Sequence, residues 1–187
     1  MRVIAGRFGG RTLVAPPGAS TRPTSDRVRE ALFSILGDIT DMTVLDLFAG
    51  TGALGIEALS RGAASATFVE QARPALRALR KNLDELRLDP KTRVMPMAVE
   101  RALSSMPWGK GAFDVVFMDP PYAEVRNGRF ETSSLARAVE RSLAASMRAG
   151  GRLVLEHAKG ILAPDVDGLA RESTRTYGDT ALSFYLH

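Results

Sequence analysis

Asp119-Pro120-Pro121-Tyr122 is a segment whose residue types could act directly on a substrate. An exocyclic amine conjugated to a purine ring is a poor nucleophile, because its lone pair is delocalised. The Asp119 carboxylate and the Pro120 carbonyl can accept hydrogen bonds from its two N–H groups. That favours a pyramidal nitrogen with its lone pair free to attack. Two consecutive prolines fix the backbone, so that the carbonyl points one way. Tyr122 offers an aromatic face on which an unstacked base can lie. At average composition the tetrapeptide arises by chance in about one chain in a thousand of this length.

A second constellation is Asp46-Leu47-Phe48-Ala49-Gly50-Thr51-Gly52-Ala53-Leu54-Gly55. Gly50, Gly52 and Gly55 match G-x-G-x-x-G, which permits a tight turn and close backbone approach to a ligand. Glu70, 24 residues after Asp46, ends the next apolar run and can accept hydrogen bonds from ribose hydroxyls. The glycine loop alone fits a nicotinamide dinucleotide as well as S-adenosylmethionine, since both carry an adenosine. Asp46 leans towards the second: an acid just before the loop would repel a pyrophosphate and suits an ammonium and a sulfonium.

Both loops need strands to place them. Thr43–Phe48, Ala66–Glu70, Arg93–Met97, Phe113–Met118 and Arg152–Glu156 read as short apolar strands, with helices between them. One helix starts at Thr24 or Ser25 and turns Val28, Ala31, Leu32, Ile35 and Leu36 inward. The next follows the glycine loop and stops at Gly62. Another begins near Pro74, buries Leu76, Leu79, Leu83 and Leu86, and ends at Asp89-Pro90. Two more cover Glu100–Ser105 and roughly Ser133–Met147. Arg171–Tyr177 and Leu182–Leu186 read as a closing strand pair joined at Gly178-Asp179, antiparallel because no helix intervenes. Strands apolar throughout and alternating with helices imply a mostly parallel sheet covered on both faces. In a doubly wound sheet of this order the two loops fall side by side at the carboxyl edge, where ligands bind. Residues 2–5 and 11–14 read as a small β-hairpin ahead of this core, closed by Pro16-Pro17-Gly18. We expect one domain over 1–187: a hairpin extension (1–20) and a catalytic core (21–187).

Composition excludes other chemistries. With no cysteine there is no disulfide framework, thiolate metal site or cysteine nucleophile, and 2 histidines argue against a histidine-rich metal site. No apolar run approaches the ~20 residues that span a bilayer. The first residues lack the apolar stretch and cleavage site of a secretory signal, so a cytoplasmic protein is expected. The formal charge is +4, and residues 1–30 hold six arginines against two acids, so the whole excess lies there. Such an asymmetry suits a polyanionic partner, although a solvated basic face would look the same. Arg7, Arg11 and Arg22 are the candidate phosphate contacts, with Arg126 and Arg129, just after the Pro-Pro loop, as further ones.

Four stretches together resemble the bacterial 16S ribosomal RNA guanine-N2 methyltransferase family: Ile4-Ala5-Gly6 with Gly10-Arg11; Thr21-Arg22-Pro23-Thr24 with Arg27, Arg29, Glu30, Ala31 and Phe33; the two loops; and Tyr177-Gly178-Asp179-Thr180. The loops are common to many amine methyltransferases, whereas Arg22-Pro23-Thr24 and Tyr177-Gly178 are more specific. The resemblance implies a Rossmann-like class I methyltransferase fold, α/β, with a seven-stranded mostly parallel sheet and an N-terminal hairpin extension. It implies methyl transfer from S-adenosylmethionine to N2 of one guanine of 16S rRNA, in the assembling or assembled small subunit. Asp119, Pro120 and Tyr122 would then be catalytic. Asp46, Phe48, Gly50, Gly52, Glu70 and Ala98 would bind the cofactor, with no metal and a monomeric enzyme. The family pattern has Asn or Asp where this chain has Met97 or Ala98, so the adenine contact there falls to a backbone amide.

Other readings account for part of the sequence. An adenine-N6 methyltransferase acting on DNA or RNA would use nearly the same amine chemistry. A protein-glutamine methyltransferase would not need the basic N-terminus. A dinucleotide-dependent oxidoreductase leaves the Pro-Pro-Tyr loop unexplained, and a non-catalytic RNA-binding module explains the arginines alone.

Overall fold

Runs such as Val44–Leu47 and Val115–Met118 are buried along their whole length, as strands covered on both faces must be. A computed structural model describes residues 1–16, 25–121, 125–126, 129–130 and 133–187. Seven strands form a mostly parallel sheet, and the chain divides into two compact units, Met1–Pro96 and Met97–His187.

In the first unit the order is α1 (Asp26–Leu36), β1 (Thr43–Leu47), α2 (Ala53–Ser60), β2 (Ser65–Glu70), α3 (Arg73–Glu85) and β3 (Thr92–Pro96). Its strands lie in the order β3-β2-β1, all parallel, with Thr43 opposite Ser65 and Ala66 opposite Thr92. Ser25 caps α1 by accepting a hydrogen bond from the Val28 N–H at 3.3 Å. The buried stripe of α1 is Val28, Arg29, Leu32, Phe33 and Leu36. Ile35, expected inward, is 38% exposed, and Phe33 and Arg29 take the inward positions instead. The stripe of α3 is as expected, with Leu76, Leu79, Leu83 and Leu86 buried. The helix stops earlier than Asp89-Pro90. Arg87 turns left-handed (φ 54°), its N–H donates to the Asp84 carbonyl, and the Leu88 N–H donates to the Leu83 carbonyl. This double bond pattern closes a helix, with arginine where glycine is usual.

In the second unit the order is α4 (Val99–Ser105), β4 (Phe113–Met118), β5 (Val125–Arg126), β6 (Arg129–Phe130), α5 (Ser133–Ser146), β7 (Met147–Ala158), β8 (Ala170–Tyr177) and β9 (Thr180–Leu186). The main strands run β4-β7-β9-β8, with β4 and β7 parallel and the last two pairings antiparallel, as expected for a closing hairpin. β7 is longer than Arg152–Glu156: pairing begins at Met147, opposite Phe113, and its register shifts before Arg152 meets Val115. The two-residue strands β5 and β6 form a separate antiparallel ribbon that apolar periodicity does not reveal.

The N-terminal extension is a minimal hairpin. One antiparallel bridge joins Arg2 to Thr12, supported by Val3 N–H to Arg11 O (2.9 Å), Gly10 N–H to Val3 O (2.9 Å) and Leu13 N–H to Met1 O (3.0 Å). Residues 6–8 form a single 3₁₀ turn between its arms. So short a ladder cannot hold itself together. Side chains of the helices hold it instead, as described next.

Candidate active site

The first unit builds a loop around left-handed residues. β1 delivers Asp46 into the interior at 2% exposure, and the chain then reverses through Phe48 (φ 60°), Gly50 (φ 57°) and Gly52 (φ 82°). Phe48 therefore leaves the strand one residue earlier than its apolar character suggests. A bulky residue at positive φ is rare and costs roughly 1–3 kcal/mol, so the surrounding structure must impose it. The glycines differ in purpose. A Cβ on Gly52 would collide with Leu79 Cδ1 of α3, and one on Gly55 with Phe68 Cε1 of β2, so the two glycines let the start of α2 lie close to both elements. A Cβ on Gly50 would meet only the Phe48 carbonyl oxygen, at 4.0 Å. Gly50 thus faces open space, where a ligand could approach the backbone.

Two carboxylates fix this loop. Asp46 Oδ2 accepts from the Gly55 N–H at 2.9 Å, supplying the acceptor that the first turn of α2 lacks. Burial pushes the Asp46 carboxyl up to about 7, with the Glu70 charge adding to the rise and the Gly55 hydrogen bond opposing it. Glu70, at the end of β2, accepts from three backbone N–H groups. Gly50 donates to Oε2 at 2.8 Å, and Gln71 and Ala72 donate to Oε1 at 2.8 and 2.7 Å. Ala72 precedes α3 and has no capping side chain of its own. Glu70 therefore ties the glycine loop to the start of α3.

Residues that sequence reasoning missed join the extension to this loop. Asn82, 1% exposed on α3, accepts from Val14 N–H at 2.7 Å and donates to Val14 O at 3.1 Å and to Thr51 O at 3.0 Å. Glu57, fully buried on α2, accepts from Ile4 N–H (2.6 Å), Ala5 N–H (3.0 Å) and Arg61 Nε–H (2.7 Å). Ser60 accepts from Phe8 N–H at 2.9 Å and donates to Ala5 O at 2.5 Å. Polar residues on the inner faces of apolar helices were the available signal: Glu57 sits amid Leu54, Ile56, Ala58 and Leu59.

The N-terminal arginines separate into two kinds. Arg29 is fully buried, and its Nη2 donates to Arg2 O at 2.6 Å and to Asp26 Oδ1 at 2.8 Å, which makes it a brace. Arg2 pairs with Asp26 at 3.1 Å. Arg7 and Arg11 are exposed, the former with its guanidinium 5.2 Å from the centre of the Phe8 ring. Arg22 lies outside the described residues.

In the second unit β4 delivers Asp119 and Pro120 at its carboxyl end, Pro120 buried and Asp119 half-buried. Tyr122 lies outside the described residues. Ala98 sits half-buried just before α4 with extended backbone (φ −65°, ψ 145°). Arg126 and Arg129 are directly opposite each other in the β5–β6 ribbon. No group of three or more His, Asp or Glu side chains that could hold a metal occurs among the described residues. None of the described helices is long and apolar enough to cross a membrane.

The family model described as "Conserved hypothetical protein 95" matches residues 1–186. The chain belongs to that family. A relative from Bacillus subtilis, the candidate rRNA methyltransferase YlbH, is 37% identical over 187 residues, covering 99% of this chain and 98% of the relative. Ribosomal RNA small subunit methyltransferase D of Escherichia coli is 44% identical over 123 residues, which are 65% of this chain and 60% of that protein. The solved structure of the candidate methyltransferase yhhF from Escherichia coli superposes with a TM-score of 0.80 at 34% identity, covering 100% of this chain and 97% of that one. This family member is a methyltransferase, and its seven-stranded sheet is the Rossmann-like one of class I.

Proposed function

We propose that the chain transfers a methyl group from S-adenosylmethionine to the exocyclic N2 amine of one guanine in 16S rRNA of the small ribosomal subunit. Such a substrate places the enzyme in the cytoplasm. The observation that carries the reading is Asp119-Pro120 at the carboxyl end of β4, in a chain similar over its length to an rRNA methyltransferase candidate.

The residues of the first unit fit the cofactor. Gly50 leaves its backbone open to a ligand, and Glu70 ends β2 with a carboxylate beside it. Each carboxylate oxygen has two acceptor directions, so Glu70 Oε2, engaged by one N–H, retains capacity for a ribose hydroxyl. In its ionised form the Asp46 carboxylate favours a cationic amino-acid end, and the left-handed Phe48 presents its backbone to the same ligand. Thr51 O and Gly52, fixed from behind, keep the turn in shape, and the Ala98 backbone takes the adenine edge. S-adenosylmethionine supplies a methyl group on a sulfonium that is already a good leaving group.

The remaining work is positioning. Asp119 and the Pro120 carbonyl accept the two amine hydrogens and aim the nitrogen lone pair. The positive charge that develops on nitrogen is stabilised by the same carboxylate. Tyr122 stacks on the base. Arg7, Arg11, Arg22, Arg126 and Arg129 contact phosphates. We further propose that residues 1–187 act as one monomeric domain, without metal.

Nucleotide mapping of 16S rRNA from cells with and without the gene tests this. One guanine should carry an N2-methyl group only when the gene is present. A modified adenine N6 instead would replace guanine with adenine as the target. Tight NAD binding with no heat from S-adenosylhomocysteine would replace the methyltransferase cofactor altogether.

A further inference from the structure

Helices α4 and α5 pack against each other in the second unit. Between them lies an open cleft of about 270 Å³ lined by Glu100, Arg101, Ser104, Ser134, Arg137, Ala138 and Arg141. Three arginines and one glutamate give the lining a net charge of +2. Arg137 and Arg141 stand one turn apart on α5, an arrangement of like charges that weakens a helix by a few tenths of a kcal/mol. All three guanidinium-bearing residues are exposed, and none makes an ion pair with another described residue. The fold therefore gains nothing visible from converging them.

The lining decides the class of ligand. Ala138 is its only apolar residue, and it has no aromatic ring on which a base could stack. Small-molecule sites are mostly apolar and larger, about 300–1,000 Å³. Guanidinium forks with two serine hydroxyls match phosphate oxygens. A protein partner would be expected to find an exposed apolar side chain here, and Ala138, the one apolar residue of the lining, is buried.

We propose that the α4–α5 cleft is a second docking site for the rRNA sugar–phosphate backbone, separate from the N-terminal arginines. It rests on the rRNA reading above. Arg101, Arg137 and Arg141 take phosphate oxygens, and Glu100 lowers the affinity so that the product can leave.

The test measures binding as a function of salt, together with steady-state methylation. The substrate is a 16S rRNA transcript or small subunits from cells lacking the gene, whichever the wild-type protein methylates. The double variant Arg137→Gln, Arg141→Gln should flatten the log–log salt slope by about 1.4–1.8 units, the loss of two phosphate contacts. KM for RNA should rise several-fold, while kcat and S-adenosylhomocysteine affinity stay the same. Glu100→Gln should do the opposite, tightening RNA binding and lowering KM, which keeps the test valid if the double variant folds poorly. Unchanged slopes in both variants, with wild-type methylation intact, would overturn the cleft alone. A wild-type protein that methylates neither substrate would overturn the rRNA reading and the cleft with it.

Discussion

Glu70 and Gly50 are joined by a 2.8 Å hydrogen bond from the glycine N–H to the carboxylate Oε2, so the acid placed to meet a ribose also shapes the loop that meets the rest of the ligand. Removing it should have two effects. Glu70→Ala should weaken S-adenosylhomocysteine binding by about 1.5–3 kcal/mol, the worth of hydrogen bonds to a charged group. It should also lower Tm, because the N–H groups of Gly50, Gln71 and Ala72 lose their acceptor. Calorimetric titration and thermal melting on the same sample read both. A lowered Tm with unchanged affinity would reduce Glu70 to a structural clamp.

Asp46 makes stability depend on pH. Its folded pKa of about 7 lies above the ordinary 3.8, so the folded state holds this proton more tightly than the unfolded chain. The associated stability is complete below about pH 4 and is lost as pH rises through 7. Asp46→Asn keeps an oxygen for the Gly55 N–H but never ionises. Its Tm should exceed that of the wild type at pH 8, and the gap should shrink towards pH 5. Melting curves from pH 5 to 8 check this; a constant gap would show that Asp46 does not titrate there.

Asp119 should matter to turnover and not to cofactor retention. Asp119→Ala should bind S-adenosylhomocysteine as the wild type does and lose on the order of a hundredfold or more in kcat, the scale of one positioned charge-stabilising group. Tyr122→Ala should also lose turnover, since base stacking is worth about 1–3 kcal/mol, whereas Tyr122→Phe should retain most of it. Single-turnover methyl transfer at saturating cofactor distinguishes these variants. Wild-type rates for Asp119→Ala would remove the amine-positioning role.

The N-terminal arginines should divide by burial. Replacing Arg7 and Arg11 with Ala should flatten the salt slope of rRNA binding by about 1–2 units and leave Tm unchanged. Arg29→Ala should cost about 1.5–3 kcal/mol of stability, the worth of hydrogen bonds from a charged group, here to the Arg2 carbonyl and to Asp26. Filter binding across salt and urea unfolding separate the two classes. A lowered Tm without a slope change in Arg7→Ala, Arg11→Ala would make the whole extension structural.

Asn82 links Val14 to Thr51, and Asn82→Ala would leave the Val14 N–H and two carbonyls without their partner. The expected cost is about 1–3 kcal/mol of stability for the buried donor alone. A raised KM for S-adenosylmethionine should accompany it, because Thr51 belongs to the glycine loop. Asn82→Asp should restore only the bond from Val14 N–H.

The strand–helix alternation was legible because period and length are strong signals: β4 is Phe113–Met118 in both the sequence and the fold. The glycine loop and Glu70 were legible as a constellation, but their hydrogen bonds were not. Asp46 reads from the sequence as facing a ligand, and the sequence gives no sign that its Oδ2 also accepts from the Gly55 N–H. Arg29 looked like part of a basic face because its burial depends on where Arg2 and Asp26 bring their oxygens, 27 and 3 residues away. The end of α3 was missed because arginine, not glycine, adopts the left-handed position. Boundaries set by hydrogen bonds between distant residues leave no periodic trace.

The clamps on the extension also set an order of events during synthesis. Val14 finds Asn82 only 68 residues later in the chain, and Ile4 waits 53 residues for Glu57. At about 5–20 residues per second, Val14 is out of the peptidyl-transferase centre for several seconds before its partner exists. Until then its N–H has water as its partner, and the short hairpin has nothing to lie on. The extension is therefore made early and seated late, closing over α2 and α3 once both helices have formed.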